Sequence, residues 1–212
     1  MKPVVLVHGA WHGAWCWDYV TPLLDAAGVP WVAPDLPSCA RARERAGVIE
    51  DVQTVEAALD ALPGGEEAIL LGHSRGGIVI SEAGAHRRVG SLIYLTAFLL
   101  EAGETFGPAA GELRAPLGND RFYNDCPDEQ VAWAAKQLRP TFMGGAPFTP
   151  SRLAWAQKPT TYVVCTLDAA IPVADQRTMA LRAGRSVEWE TGHSPFLNRP
   201  DLVAELLVAL AE

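Results

Sequence analysis

Six short strand-like runs, four of them rich in Val, Ile and Leu, alternate along this chain with segments of helical spacing, and that alternation limits the fold more than any other feature. The runs cover residues 4–8, 30–34, 68–72, 92–97, 161–166 and 186–190. Residues 15–27, 51–62, 76–88, 172–183 and 200–211 read as helices between and after them. A strand that is apolar throughout must be covered on both faces. Parallel strands joined by right-handed helical crossovers supply that cover. The prediction is an α/β fold, a mostly parallel sheet of about six strands flanked by helices. Gly28 ends the first helical segment and Pro63-Gly64-Gly65 closes the second. His86, Arg87 and Arg88 fall in the last turn of the third, where cations suit the carbonyl end.

One stretch breaks the rhythm. Residues 101–156, between the fourth and fifth strands, are too many for an αβ connection and are rich in Gly, Pro and aromatics. A lid inserted after the fourth strand of a single domain, 1–212, accounts for them. Its Phe122, Trp133, Phe142, Met143, Phe148 and Trp155 need apolar surroundings, about half of them in the insertion's own small core and the rest lining a cleft at the site.

Charge and cysteine usage remove several function classes. Lys plus Arg number 17 against 25 Asp plus Glu, a formal charge of −8. The one basic cluster, Arg41, Arg43 and Arg45, contains Glu44 and reads as a solvated loop. Such a balance argues against nucleic acid as a partner. Cys16, Cys39, Cys126 and Cys165 show no CxxC or Cys/His ligand spacing. His8 and His12 stand four apart but lack the HExxH glutamate and span a glycine turn, so no metal is expected. No GxGxxG or GxxxxGK[ST] motif occurs, and no organic cofactor is implied. The apolar stretch 92–100 is interrupted by Thr96 and is about half a membrane span, and the amino-terminal run is too short for a signal peptide. The expectation is a cytoplasmic protein with free thiols and no membrane association.

Gly72-His73-Ser74-Arg75-Gly76-Gly77 carries the strongest chemical signal, because it follows a strand and opens a helix. A serine on so sharp a turn needs small residues two before and two after it. It is then raised at the carboxyl end of the sheet, with the Arg75 amide free to face a developing oxyanion. Serine is inert at neutral pH without a base. Of the five histidines only His193 follows a late strand and precedes the last helix. An acid should orient it, in the chain order serine, acid, histidine. Asp168, just past the fifth strand, is the first candidate; Glu101, after the fourth, is the alternative, and Asp175 falls inside a helix.

Residues 5–17, Val-Leu-Val-His-Gly-Ala-Trp-His-Gly-Ala-Trp-Cys-Trp, resemble the opening of the α/β-hydrolase branch that holds plant methylesterases, hydroxynitrile lyases and bacterial esterases. Residues 165–172, Cys-Thr-Leu-Asp-Ala-Ala-Ile-Pro, are similar to that branch's acid segment, and Gly192-His193 to its histidine segment. The likeness covers 3–37, 66–99 and 160 onward, and fades across 38–64 and the insertion. It implies Ser74 as nucleophile, Asp168 as orienting acid and His193 as base, with the backbone N–H groups of Ala10 and Arg75 as oxyanion hole. Ala10 also follows a strand end and a glycine, where a turn can aim its amide. The branch's lyases carry a lysine after the catalytic histidine and a threonine in place of the early glycine. Here those positions are Ser194 and Gly9, which favours ester hydrolysis.

The expected function is therefore a serine hydrolase cleaving a small, apolar carboxylic ester or thioester through an acyl-enzyme. A lactonase, carbon–carbon hydrolase or polyketide-processing enzyme on the same triad is the alternative. A non-catalytic receptor has less need of all three residues. Trp11, Trp133, Phe142 and Trp155 are the candidates for lining the substrate pocket, and the Arg75 side chain is expected either in a surface ion pair or facing a substrate carboxylate.

Overall fold

The computed structural model describes residues 1–39, 46–106, 113–114, 118–142 and 147–212. The sequence-predicted basic loop at Arg41, Arg43 and Arg45, and Met143 of the insertion, lie outside the described residues. Strands β1 (Val4–Val7), β2 (Trp31–Val32), β3 (Ala68–His73), β4 (Val89–Leu95), β7 (Thr160–Cys165) and β8 (Arg185–Trp189) form one sheet in the order β2-β1-β3-β4-β7-β8. Every pairing in it is parallel. A separate antiparallel pair, β5 (Leu113–Arg114) and β6 (Thr141–Phe142), lies in the β4–β7 connection.

Period-two alternation divides the inner strands between two cores. Val5 and Val7, Leu70, Leu92 and Tyr94, Tyr162 and Val164 face one side, under α2 (Val48–Ala61), α3 (Gly76–Ala83) and α6 (Val173–Ala180). Val4 and Leu6, Ile69 and Leu71, Ile93 and Leu95, Val163 and Cys165 face the other. That side is covered by α1 (Thr21–Ala26), α7 (Pro195–Asn198) and α8 (Pro200–Ala211). Both faces being buried explains why these strands read as continuous apolar runs. Two short helices, α4 (Asn119–Phe122) and α5 (Asp128–Ala135), belong to the β4–β7 connection.

Several boundaries differ from the sequence reading. The predicted 15–27 helix divides into a 3-10 turn, Ala14–Trp17, and α1, whose first turn holds Pro22. Proline suits a helix start and not its interior. Helix α2 begins earlier, at Val48, where the Glu50 carboxylate accepts from Gly47 N–H at 2.7 Å. Helix α3 stops at Ala83, so His86, Arg87 and Arg88 lie beyond it. Arg88 instead donates to the carbonyls of Leu62, Pro63 and Gly64, at the end of α2. Among the described residues no helix is long and apolar enough to cross a membrane. All four cysteines are thiols.

In the order β2-β1-β3 the chain reverses its direction of winding at β1, and the carboxyl ends of β1 and β3 therefore open a crevice. The loops after β1, β3, β4, β7 and β8 all meet there.

Candidate active site

Ser74 sits between β3 and α3 with φ of 52°, a left-handed conformation that costs an L-residue about 1–2 kcal/mol. Hydrogen bonds hold it there. Ser74 N–H donates to Leu95 O, and Ser74 O accepts from the amides of Gly77 and Phe98. The turn is too tight for side chains on its flanks. A Cβ on Gly72 would lie 2.7 Å from Gly76 O, and one on Gly76 would lie 2.7 Å from Val7 O. Strand, turn and helix can meet only with glycine at both positions.

His193, in the loop between β8 and α7, places Nδ1 2.7 Å from Asp168 Oδ2. Asp168, after β7, is held by many donors. Thr96 Oγ1 and Gln176 Nε2 also donate to Oδ2, and the amides of Ala170 and Ile171 donate to Oδ1 at 2.6 and 2.9 Å. Burial pushes the Asp168 pKa up, but the charge and hydrogen bond of His193, with Thr96 and Ile171, outweigh it and hold the carboxyl below its ordinary value. It is therefore an ionised acceptor at neutral pH, and fixes the His193 proton on Nδ1. Glu101, the alternative acid, lies 3.2 Å from Arg182 and is about half exposed. The structure brings Asp168, not Glu101, to His193.

Two further histidines pack beside the site. His73 Nε2–H donates to His193 O at 2.8 Å, and its ring lies 4.7 Å from that of His193, tilted at 55°. Burial, with the charges of His193 and His12, drives the His73 pKa well down. His12 is lowered to about 3, first by burial and then by His193 and His8. It stays neutral, with Nδ1 donating to Ala10 O at 2.8 Å and Nε2 accepting from Tyr123 Oη at 2.9 Å.

Ala10, Trp11, Ser74, Arg75, Phe98, Phe106, Phe122, Ala170, Ile171 and His193 enclose a cavity of about 260 Å³. Among the described residues neither the Ala10 nor the Arg75 amide donates to a backbone carbonyl, so both are free to serve a ligand. Ser74 Oγ likewise has no hydrogen-bond partner among them.

Of the four residues predicted to line the pocket, Trp11 does so. Trp133 instead meets Trp15 and Tyr19, each at 5.4 Å. Trp155 Nε1 donates to Leu100 O and packs against the α2/α3 core. Phe142 lies on β6 and is not one of the residues lining the cavity. Phe122 does line it, stacked at 28° and 5.9 Å on His193. Sequence reasoning missed Phe98, Phe106, Ala170 and Ile171 as lining residues. Ala170 and Ile171 adjoin Asp168 in the acid segment, and that adjacency was the available signal.

The Arg75 side chain is in neither predicted place. It is fully buried, with Nη1 2.7 Å from Asp51 Oδ2 and 3.1 Å from Ser38 Oγ. The pair ties the serine turn to α2.

The family model described as "Alpha/beta hydrolase family" matches residues 4–206. The pyrethroid hydrolase of Sphingobium wenxiniae is 30% identical over 245 aligned positions, covering 99% of this chain and 87% of that protein. Methylesterase 2 of Arabidopsis thaliana is 28% identical over 252 aligned positions, covering 98% of this chain and 95% of its own. The crystal structure of the Arabidopsis methylesterase MES16 superposes with a TM-score of 0.81 at 27% identity, covering 99% of this chain and 98% of that one.

Proposed function

The chain belongs to the alpha/beta hydrolase family, and from that premise we propose that it is a serine esterase cleaving a small carboxylic ester or thioester. The observation that carries this reading is the 2.7 Å bond from His193 to a buried, multiply held Asp168, with both Ser74 and His193 on one cavity. Ser74 Oγ attacks the ester carbonyl while His193 Nε2 takes its proton. Asp168 keeps the other ring proton on Nδ1 and stabilises the imidazolium. The oxyanion receives the N–H groups of Ala10 and Arg75, each worth about 3 kcal/mol in the transition state of hydrolases generally. His193 then returns its proton to the departing alcohol or thiol. Water, deprotonated by the same nitrogen, attacks the acyl-enzyme, and His193 passes that proton to Ser74 Oγ as the acyl–oxygen bond breaks and the acid leaves. The open Ser74 hydroxyl accords with a contact to His193 that tightens when substrate binds.

The cavity supports a small acyl group. Its 260 Å³ lie below the usual range for ligand pockets. Trp11, Phe98, Phe106, Phe122 and Ile171 make its walls apolar, so each added methylene gains ~0.8 kcal/mol only until the space is full. Phe106 and Phe122 come from the β4–β7 connection, which acts as the lid. Two of the similar proteins are by name a methylesterase and a pyrethroid hydrolase, which agrees with ester cleavage. In a p-nitrophenyl ester series, kcat/KM should peak at short acyl chains. A steady rise out to long fatty chains would refute the small-ester reading, and no turnover of any member would refute the esterase.

A further inference from the structure

The loop that carries the Ala10 amide is held mainly from outside its own strand. The peptide unit joining Ala10 to Trp11 is gripped at both polar ends. His12 Nδ1 donates to its carbonyl, and its N–H donates to Thr141 Oγ1 at 2.5 Å. The next carbonyl, Trp11 O, accepts from Arg139 N–H at 2.8 Å. Tyr123 fixes His12 from behind. Tyr123, Arg139 and Thr141 all lie in the β4–β7 connection.

That grip has work to do, because Trp11 has φ of 64°. A bulky L-residue persists there only when its surroundings over-determine it, at a cost of about 1–3 kcal/mol. Thr141 is fully buried, and Cys39 Sγ at 3.2 Å is the other partner of its hydroxyl. Deleting the hydroxyl would take the Thr141 acceptor from the Trp11 N–H and loosen the strained turn at the Ala10 Cα, the atom from which the Ala10 N–H of the preceding peptide unit is aimed.

We propose that Thr141 is a positioning residue for the hydrolysis, its hydroxyl holding the Trp11 amide so that the Ala10 N–H points at the oxyanion. The inference rests on the esterase reading and on Ala10 as an oxyanion donor. It makes the inserted segment part of the catalytic geometry as well as a wall of the pocket.

Thr141→Val keeps the shape and removes the acceptor, while Thr141→Ser keeps the acceptor. With a short-chain p-nitrophenyl ester, Thr141→Val should lower kcat about tenfold or more, with KM within about twofold. Its affinity for an arylboronic acid, which forms a tetrahedral adduct on the serine, should fall by a similar factor. Thr141→Ser should stay near the unaltered enzyme in both. Unchanged kcat in Thr141→Val, or equal losses in both variants, would overturn the proposal, the second result showing packing alone. If Thr141→Val does not fold, Thr141→Ala against Thr141→Ser decides: equal kcat overturns the proposal, and a several-fold advantage for serine supports it. No turnover and no boronic acid binding by the unaltered protein would instead defeat the esterase reading, and this inference with it.

Discussion

Asp51→Ala should be among the most damaging single changes outside the site. Asp51 accepts from Ser38 N at 3.0 Å, Ser38 Oγ at 2.7 Å and Arg75 Nη1 at 2.7 Å. Both partners of the ion pair are essentially inaccessible to water. Arg75 Nε and Nη2 are buried with no partner among the described residues, and among those residues Asp51 is the only carboxylate paired with the guanidinium. Removing one member of a buried pair costs about 3–5 kcal/mol, because the other charge is left uncompensated. For 212 residues at ~2.1 cal/mol/K each, the unfolding entropy is ~0.45 kcal/mol/K, and the melting temperature should fall by roughly 7–11 °C. Thermal unfolding by circular dichroism measures this directly. The double variant Asp51→Ala/Arg75→Met, which removes the stranded charge, should melt above Asp51→Ala alone. A drop of under about 2 °C, or losses that simply add in the double variant, would refute the argument.

Three other outcomes follow from the same geometry. Asp168→Asn should leave the fold intact and lower kcat by about 10⁴-fold, because the amide favours the wrong His193 tautomer, while Glu101→Gln should stay near the unaltered rate; steady-state kinetics on one short ester decides. His12 has a folded pKa of about 3 against an ordinary 6.5, so its contribution is complete above pH 6.5 and is lost as pH falls toward 3. Urea titrations should show His12→Gln losing less stability between pH 6.5 and 5 than the unaltered protein, by ~1.4 kcal/mol per pH unit. Gly72→Ala would press a Cβ to 2.7 Å from Gly76 O, both being backbone-bound, and should cost ~1–3 kcal/mol or more in thermal unfolding.

The parts of the molecule governed by repeated local rules were legible in the sequence. Strands β1, β3, β4 and β7 read as apolar runs because both their faces are buried, and the serine turn read as a turn because glycines flank it. Asp168 and Glu101 could not be separated by chain order alone, since both follow strand ends. The Arg182 side chain that engages Glu101 comes from after α6, and no local pattern announces such a pairing. Arg75 misled for a similar reason. A charged residue beside a serine turn reads as exposed or substrate-facing, until the distant Asp51 on α2 is seen to bury it. Trp133 and Trp155 were sought in the pocket because aromatics there need burial, but apolar cores met that need. Thr141 and Tyr123 were invisible as site residues, since an irregular connection has no periodicity to show which side chain turns inward.

The account's central claim is that Ser74 is an activated nucleophile, and a fluorophosphonate probe tests it most directly. Its phosphorus should be captured by Ser74 Oγ with loss of fluoride, and mass spectrometry of the digested protein should find the adduct on the peptide containing that residue. Labelling should vanish in Ser74→Ala and fall steeply in His193→Ala, which keeps the hydroxyl but removes its base. Equal labelling of Ser74→Ala, or a native protein that the probe leaves unmodified, would contradict the account.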